Sequence, residues 1–288
     1  MSHAEIWTPP RAANRIVKVV EAVSEIHRMD RFPLDVTQVA LEAANIFGWL
    51  DPISKVQAAN IQGFEGALFP NDSRSEWFLL YNATMASPGR IRFTQAHELG
   101  HYVLHRALRD SFQCGDSDVL GSPSDEANLE AQADEFASYL LMPMDDFRRQ
   151  INCDADLNVL GNCAERYGVS LTAAVLKWLE FTEEKAVLIM SKSGFIDWAW
   201  SSVPAWKAGA FFRAKGNVIE IPRGTIASDD SIHIEKVGKA VPATSWFQYA
   251  ENGIALREMK LNMEQFDYIL TLLILPKSLE VWSPYQSE

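Results

Sequence analysis

The stretch Arg92-Phe-Thr-Gln-Ala-His-Glu-Leu-Gly-His-Tyr-Val-Leu-His105 decides the fold of the first half of this chain. From Arg92 to Leu108 it carries Phe93, Ala96, Leu99, Val103 and Leu104 at helical intervals, with Gly100 as its one weak point, and so predicts a single helix. His97 and His101 stand one turn apart, which sends both imidazoles from one face toward one point. That spacing suits a zinc ion. Glu98 lies about 100° around the helix from His97, near enough to reach a water on the ion without ligating the ion itself. It is the natural general base.

Catalytic zinc takes three protein ligands and keeps one position for water, so the motif needs a further donor. Beyond a Gly- and Ser-rich loop, Ser122 or Ser124 can cap a second helix through Ala127, Ala131, Phe136, Ala137 and Leu141, stopped by Pro143. Glu130 on this helix is the expected third ligand. Asp134, one turn on, is placed to accept the N–H of a ligating histidine. Glu126, His105 and Cys114 are the rivals. Glu126 shares the face of Glu130 but has only Glu130 itself as a supporting carboxylate. His105 continues the His97 and His101 face, where three ligands from one straight helix would crowd the ion, so capping or solvent contact is its expected role. A HELGH pattern also recurs on ordinary helices without metal, and the Glu130-x-x-x-Asp134 pair is what turns it into a metal site.

The first stretch, together with Glu130-Ala-Gln-Ala-Asp-Glu-Phe-Ala-Ser-Tyr-Leu-Leu-Met-Pro143, resembles the two signatures of the ImmA/IrrE metallopeptidase family. The Glu-x-x-x-Asp arrangement is similar to that of gluzincin peptidases. The likeness runs over roughly residues 30 to 180, with Gly63-x-x-Gly66, Asn82 and a helical pair after Pro143 as further points. It implies zinc on His97, His101 and Glu130, with Glu98 as base, in a narrow endopeptidase. Such an enzyme cuts a helix-turn-helix repressor and releases stress, mobile-element or defence genes. Gln132 departs from the pattern, since many members carry a second Glu there; Glu130 is then the one carboxylate at that place. The last third resembles the GAF-like sensor domain that some members carry, including a defence-associated group that responds to DNA damage.

The remaining patterns predict helices at about 11–27 and 35–47, the first with Ile16, Val19, Val20, Val23 and Ile26 as its apolar face. A small antiparallel sheet follows over about 61–81. Residues 157–166 and 171–181 read as a helix-turn-helix pair, but the second helix carries Lys177 as its one cation among apolar residues, so packing is the first reading and DNA contact the second. Apolar runs at 186–190, 218–221, 232–234 and 268–275 predict the strands of a second domain. The expected architecture is α+β throughout. A mostly helical, zincin-like peptidase domain fills residues 1–182, including helix-turn-helix-like helices at about 157–181, and a GAF-like α+β domain fills 183–288.

The longest apolar run, Tyr268 to Leu275, falls far below the ~20 residues needed to span a bilayer. No secretory signal is visible in the first residues, and three cysteines, Cys114, Cys153 and Cys163, argue against a disulfide framework. The cytoplasm is the expected location, with no membrane partner. The net charge of −12 opposes general nucleic-acid binding. Residues 181–288 carry only about −2 of it. There Trp198, Trp200, Trp206 and Phe211 are interleaved with Lys207, Arg213 and Lys215, read first as core and second as a platform for single-stranded DNA acting as an activator. Cys114 has two readings as well: a small packed residue, or a thiolate that caps the zinc of a resting enzyme. The rival to the enzyme is a zinc protein that binds and sequesters a repressor without cutting it.

Overall fold

The computed structural model describes residues 7–60, 64–84, 87–108, 112–115, 123–151, 154–263 and 266–283. The chain divides into two compact units, residues 1–150 with 164–170, and residues 151–163 with 171–288. The helices at 157–181, assigned by sequence to the first domain, are therefore shared between the two units.

In the first unit, α1 (Pro9–His27) opens with two prolines in its first turn, where the missing N–H groups would have no helical partner anyway. It buries Ala12, Ala13, Ile16 and Val17, whereas Val19, Val23 and Ile26 are exposed, so the packed face is the small-residue side and not the valine stripe read from the sequence. The side chain of Asp35 caps α2 (Val36–Phe47), and Gly48 ends it at φ 74°. Strands β1 (Ile53–Ala59), β2 (Phe64–Pro70), β3 (Trp77–Asn82) and β4 (Phe112–Gly115) form a sheet of order β1-β3-β2-β4. Over the expected 61–81 stretch β2 and β3 pair antiparallel, while β1, outside that reading, runs parallel to β3 and makes the whole sheet mixed. This strand escapes sequence reading: as a sheet-edge segment, Ile-Ser-Lys-Val-Gln-Ala-Ala buries only Ile53 fully.

Helix α3 (Pro88–His105) starts at Pro88, four residues earlier than its apolar pattern suggests, because Ser87 accepts the Arg90 N–H and Pro88 occupies the first turn. It packs on β2 and β3, and also against α4 (Pro123–Leu141). The crossing is close. A Cβ on Gly100 would lie 3.1 Å from Phe136 Cδ1 and 3.2 Å from the backbone of Ala133, so the mid-helix glycine, which costs about 1 kcal/mol of helix propensity, lets the two helices meet. After Pro143, α5 (Met144–Gln150) offers the buried Asp146, which accepts from Arg166 Nε (2.8 Å) and Tyr167 Oη (2.6 Å) of α6 (Leu157–Tyr167).

In the second unit, α7 (Leu171–Leu179) packs on β5 and buries Ala174, Val175, Trp178 and Leu179. Its one cation, Lys177, is also buried and donates to Glu180 at 2.9 Å. Strands β5 (Lys185–Lys192), β6 (Phe195–Ser201), β7 (Ile234–Pro242), β8 (Ala255–Met263) and β9 (Tyr268–Leu275) form an antiparallel sheet of order β6-β5-β9-β8-β7. Val187, Ile189 and Leu273 on one face pack with Ala205 of the short helix α8 (Val203–Lys207) and with Trp246 of α9 (Ala243–Trp246). Residues 218–221, expected as a strand, contribute only an isolated bridge from Glu220 to Phe195.

Candidate metal centre

The spacing of α3 and the closeness of its crossing with α4 act together. Among the described residues, His97, His101 and Glu130 form a group whose ligand atoms all lie within 4.8 Å of one another. His97 Nε2 is 3.1 Å from Glu130 Oε2, His101 Nε2 is 3.3 Å from Glu130 Oε1, and the two Nε2 atoms are 3.0 Å apart. Glu126 and His105 stand outside this group. Cys114 lies on β4, where its backbone pairs with Gly66; its side chain is outside the described residues.

The donor set fits zinc on its chemistry. Asp134 Oδ1 is 2.8 Å from His97 Nδ1. A carboxylate only accepts, so His97 Nδ1 carries a hydrogen toward Asp134, which leaves Nε2 as the atom that would give a bound metal its lone pair beside Glu130. Burial pushes the Glu130 carboxyl up, but hydrogen bonding to His101 and His97 outweighs it and holds the group well below the usual carboxylate range. Burial lowers His101 as well, which keeps its imidazole neutral near pH 7. A buried focus of imidazole nitrogens and a carboxylate is stabilised by a cation, and two nitrogens with one oxygen ligand is a set that zinc takes in catalytic sites.

Glu98 is fully buried on the side of α3 that faces the sheet. A Cβ on Gly66 would come within 2.5 Å of Glu98 Oε1 and 2.6 Å of Thr94 Cγ2, so the bare backbone of β2 and the Glu98 carboxylate are in direct apposition. The buried Tyr102 hydroxyl is committed to the backbone, donating to the Asp51 carbonyl at 2.8 Å. His105 is buried, which corrects its expected capping or solvent role, and its Nδ1 is 3.1 Å from His101 Nδ1. The ring of Phe112 stacks on His101 at 4.5 Å and 16°. Sequence reasoning missed Phe112, and for His105 the available signal was its place one turn beyond His101.

Residues 53–179 match the IrrE N-terminal-like domain, Peptidase_M78. The matched span runs from β1 to α7 and contains His97, Glu98, His101 and Glu130, so this part of the chain is similar to a metallopeptidase domain. A search of curated proteins found no match to the chain. Helices α1 and α2 and the five-stranded sheet lie outside the Peptidase_M78 match. Among the described residues no helix is long and apolar enough to cross a membrane.

The aromatic and basic residues singled out in the second unit fall into two groups. Trp198 and Trp200 pair with Met190 and Leu188, on the sheet face opposite Val187 and Ile189. Trp206 is 6.5 Å from Phe211, Phe211 is 5.9 Å from Trp282, and the Arg213 guanidinium lies 5.3 Å over Phe211. Lys207 and Lys215 are exposed. Trp200 and Trp206 are exposed too, at 59% and 58%.

Proposed function

We propose that this chain is a cytoplasmic zinc endopeptidase that cuts a helix-turn-helix repressor at a defined site and so releases stress or defence genes. The observation that carries the enzyme reading is the convergence of His97, His101 and Glu130 inside a Peptidase_M78 match, with Glu98 buried beside them. When bound, zinc supplies Lewis acidity toward a peptide carbonyl and the attacking water. Asp134 orients His97. Glu98 takes a proton from the water as its oxygen adds to the carbonyl carbon, then gives that proton to the amine nitrogen as the C–N bond breaks.

The apposition of Gly66 and Glu98 leads to a test of this role. Gly66→Ala must displace the Glu98 carboxylate, and a shift of about 1 Å in a catalytic group can cost roughly 100-fold in rate. Cleavage is expected to fall by about that factor with zinc content unchanged. An unaltered rate would show that the position of Glu98 is not critical.

In the same reading the C-terminal unit is a GAF-like sensor, and single-stranded DNA is its first candidate activator. Support comes from the exposed Trp206 beside Phe211 and Arg213, an arrangement able to stack bases next to a cation. The deciding experiment incubates the full chain and zinc with the neighbouring helix-turn-helix protein or with unfolded casein, with and without a single-stranded oligonucleotide. One cut in the repressor, none in casein, and acceleration by the oligonucleotide are expected. Free degradation of casein would replace the narrow enzyme with a general peptidase. A stable, uncut complex would favour a sequestering protein instead.

A further inference from the structure

His101 and His97 hold their Nδ1 atoms in different ways. His97 has the Asp134 carboxylate, while His101 has a second imidazole, with its Nδ1 3.1 Å from His105 Nδ1. Between two ring nitrogens one must donate and the other accept, so the geometry of this pair alone leaves the direction open.

The direction is set one residue further out. His105 Nε2 lies 3.3 Å from Gln132 Oε1. The Gln132 amide is oriented by its other end, whose Nε2 donates to Asn128 Oδ1 at 3.1 Å. A carbonyl oxygen can only accept, so His105 carries its hydrogen on Nε2. A neutral imidazole has one N–H, which leaves a lone pair on His105 Nδ1 to accept from His101 Nδ1–H. His101 is then left with a lone pair at Nε2, the atom that would meet a cation held together with His97 and Glu130. The relay consists of two pairs spaced one helical turn apart, His101 with His105 on α3 and Asn128 with Gln132 on α4, meeting across the close crossing at Gly100.

We propose that Gln132 and His105 are positioning residues that hold His101 as its Nδ1–H tautomer and so fix Nε2 as a metal donor. The relay rests on the metal-centre reading, because without a cation the Glu130 carboxylate, 3.3 Å from His101 Nε2, competes for a hydrogen on that atom. Phe112, stacked on His101, keeps the ring from turning out of register with His105.

The test uses the full chain labelled with 15N-histidine, loaded with one equivalent of zinc at pH 8, in long-range 1H–15N correlation spectra. His101 is expected as the Nδ1–H form and His105 as the Nε2–H form. Zinc affinity is then measured by competition with a chromophoric chelator. Gln132→Leu, which removes the acceptor, is expected to mix the His105 tautomers and weaken zinc binding by roughly 10- to 100-fold. Gln132→Glu keeps an acceptor there and is expected to stay within about threefold of the unaltered chain, a rescue that loss of packing would not produce. His105 protonated on Nδ1 in the unaltered, zinc-loaded chain would overturn the relay whether or not the leucine variant folds. So would a folded Gln132→Leu with unchanged tautomers and affinity. A chain that binds no zinc would overturn the metal-centre reading and the relay with it.

Discussion

Replacing Glu98 with Gln is expected to lower peptide cleavage by about 100- to 10,000-fold while zinc stays near one per chain. The substitution keeps shape and volume and removes only the group that can take up and return a proton. Glu98 is fully buried and lies against Gly66 of β2, outside the set of ligand atoms formed by His97, His101 and Glu130, so its loss should not empty the metal site. Fragment yield by mass spectrometry, alongside elemental analysis of the same samples, measures both halves of the expectation. Cleavage at the original rate would place the proton carrier elsewhere. Zinc lost together with activity would make Glu98 a support of the metal and not a base.

His97→Ala and Glu130→Ala are each expected to drop bound zinc from about one per chain to a small fraction, with cleavage lost in parallel. His97 contributes one nitrogen and, through Asp134, the hydrogen bond that orients it. Glu130 is the one member of the group supplied by α4, and its two oxygens lie 3.1 Å and 3.3 Å from the two histidines. Removing it leaves two neutral imidazoles with no anionic partner for a dication. Elemental analysis after gel filtration reads the loss. Full zinc retention in Glu130→Ala would assign the third position to another donor, with Glu126 the nearest alternative one turn earlier on the same helix.

What was legible in the sequence was what depends on local spacing. His97 and His101 on one face of α3, and Glu130 and Asp134 on one face of α4, follow from a period of 3.6 residues and from the caps and prolines around them. Contacts made across long stretches of chain were not legible. No local pattern says that Gly66 must be bare because Glu98 lies over it, or that Gly100 is needed by Ala133. Strand β8 was missed because Glu258 and Lys260 interrupt its apolar pattern, yet both are buried and held. Glu258 accepts from the Ala227 N–H and from Trp246 Nε1, and Lys260 donates to the Asp229 carbonyl. The aromatic run from Trp198 to Phe211 reads from sequence as one group, core first and platform second, because β6 is not recognisable there; strand alternation sends Trp198 and Trp200 to the sheet face opposite Val187 and Ile189.

The α3–α4 crossing at Gly100 couples metal affinity to helix docking. His97 and His101 come from one helix and Glu130 from the other, so the ligand set exists only while the two are packed. By linkage, a substitution that undocks the helices lowers the apparent metal affinity in proportion to the fraction of molecules left docked. Zinc, in turn, must hold α4 against α3. A bulky residue at Gly100, 30 residues before Glu130 in sequence yet against Ala133 and Phe136 of the same helix, would thus be read out by a chelator as well as by a melting curve.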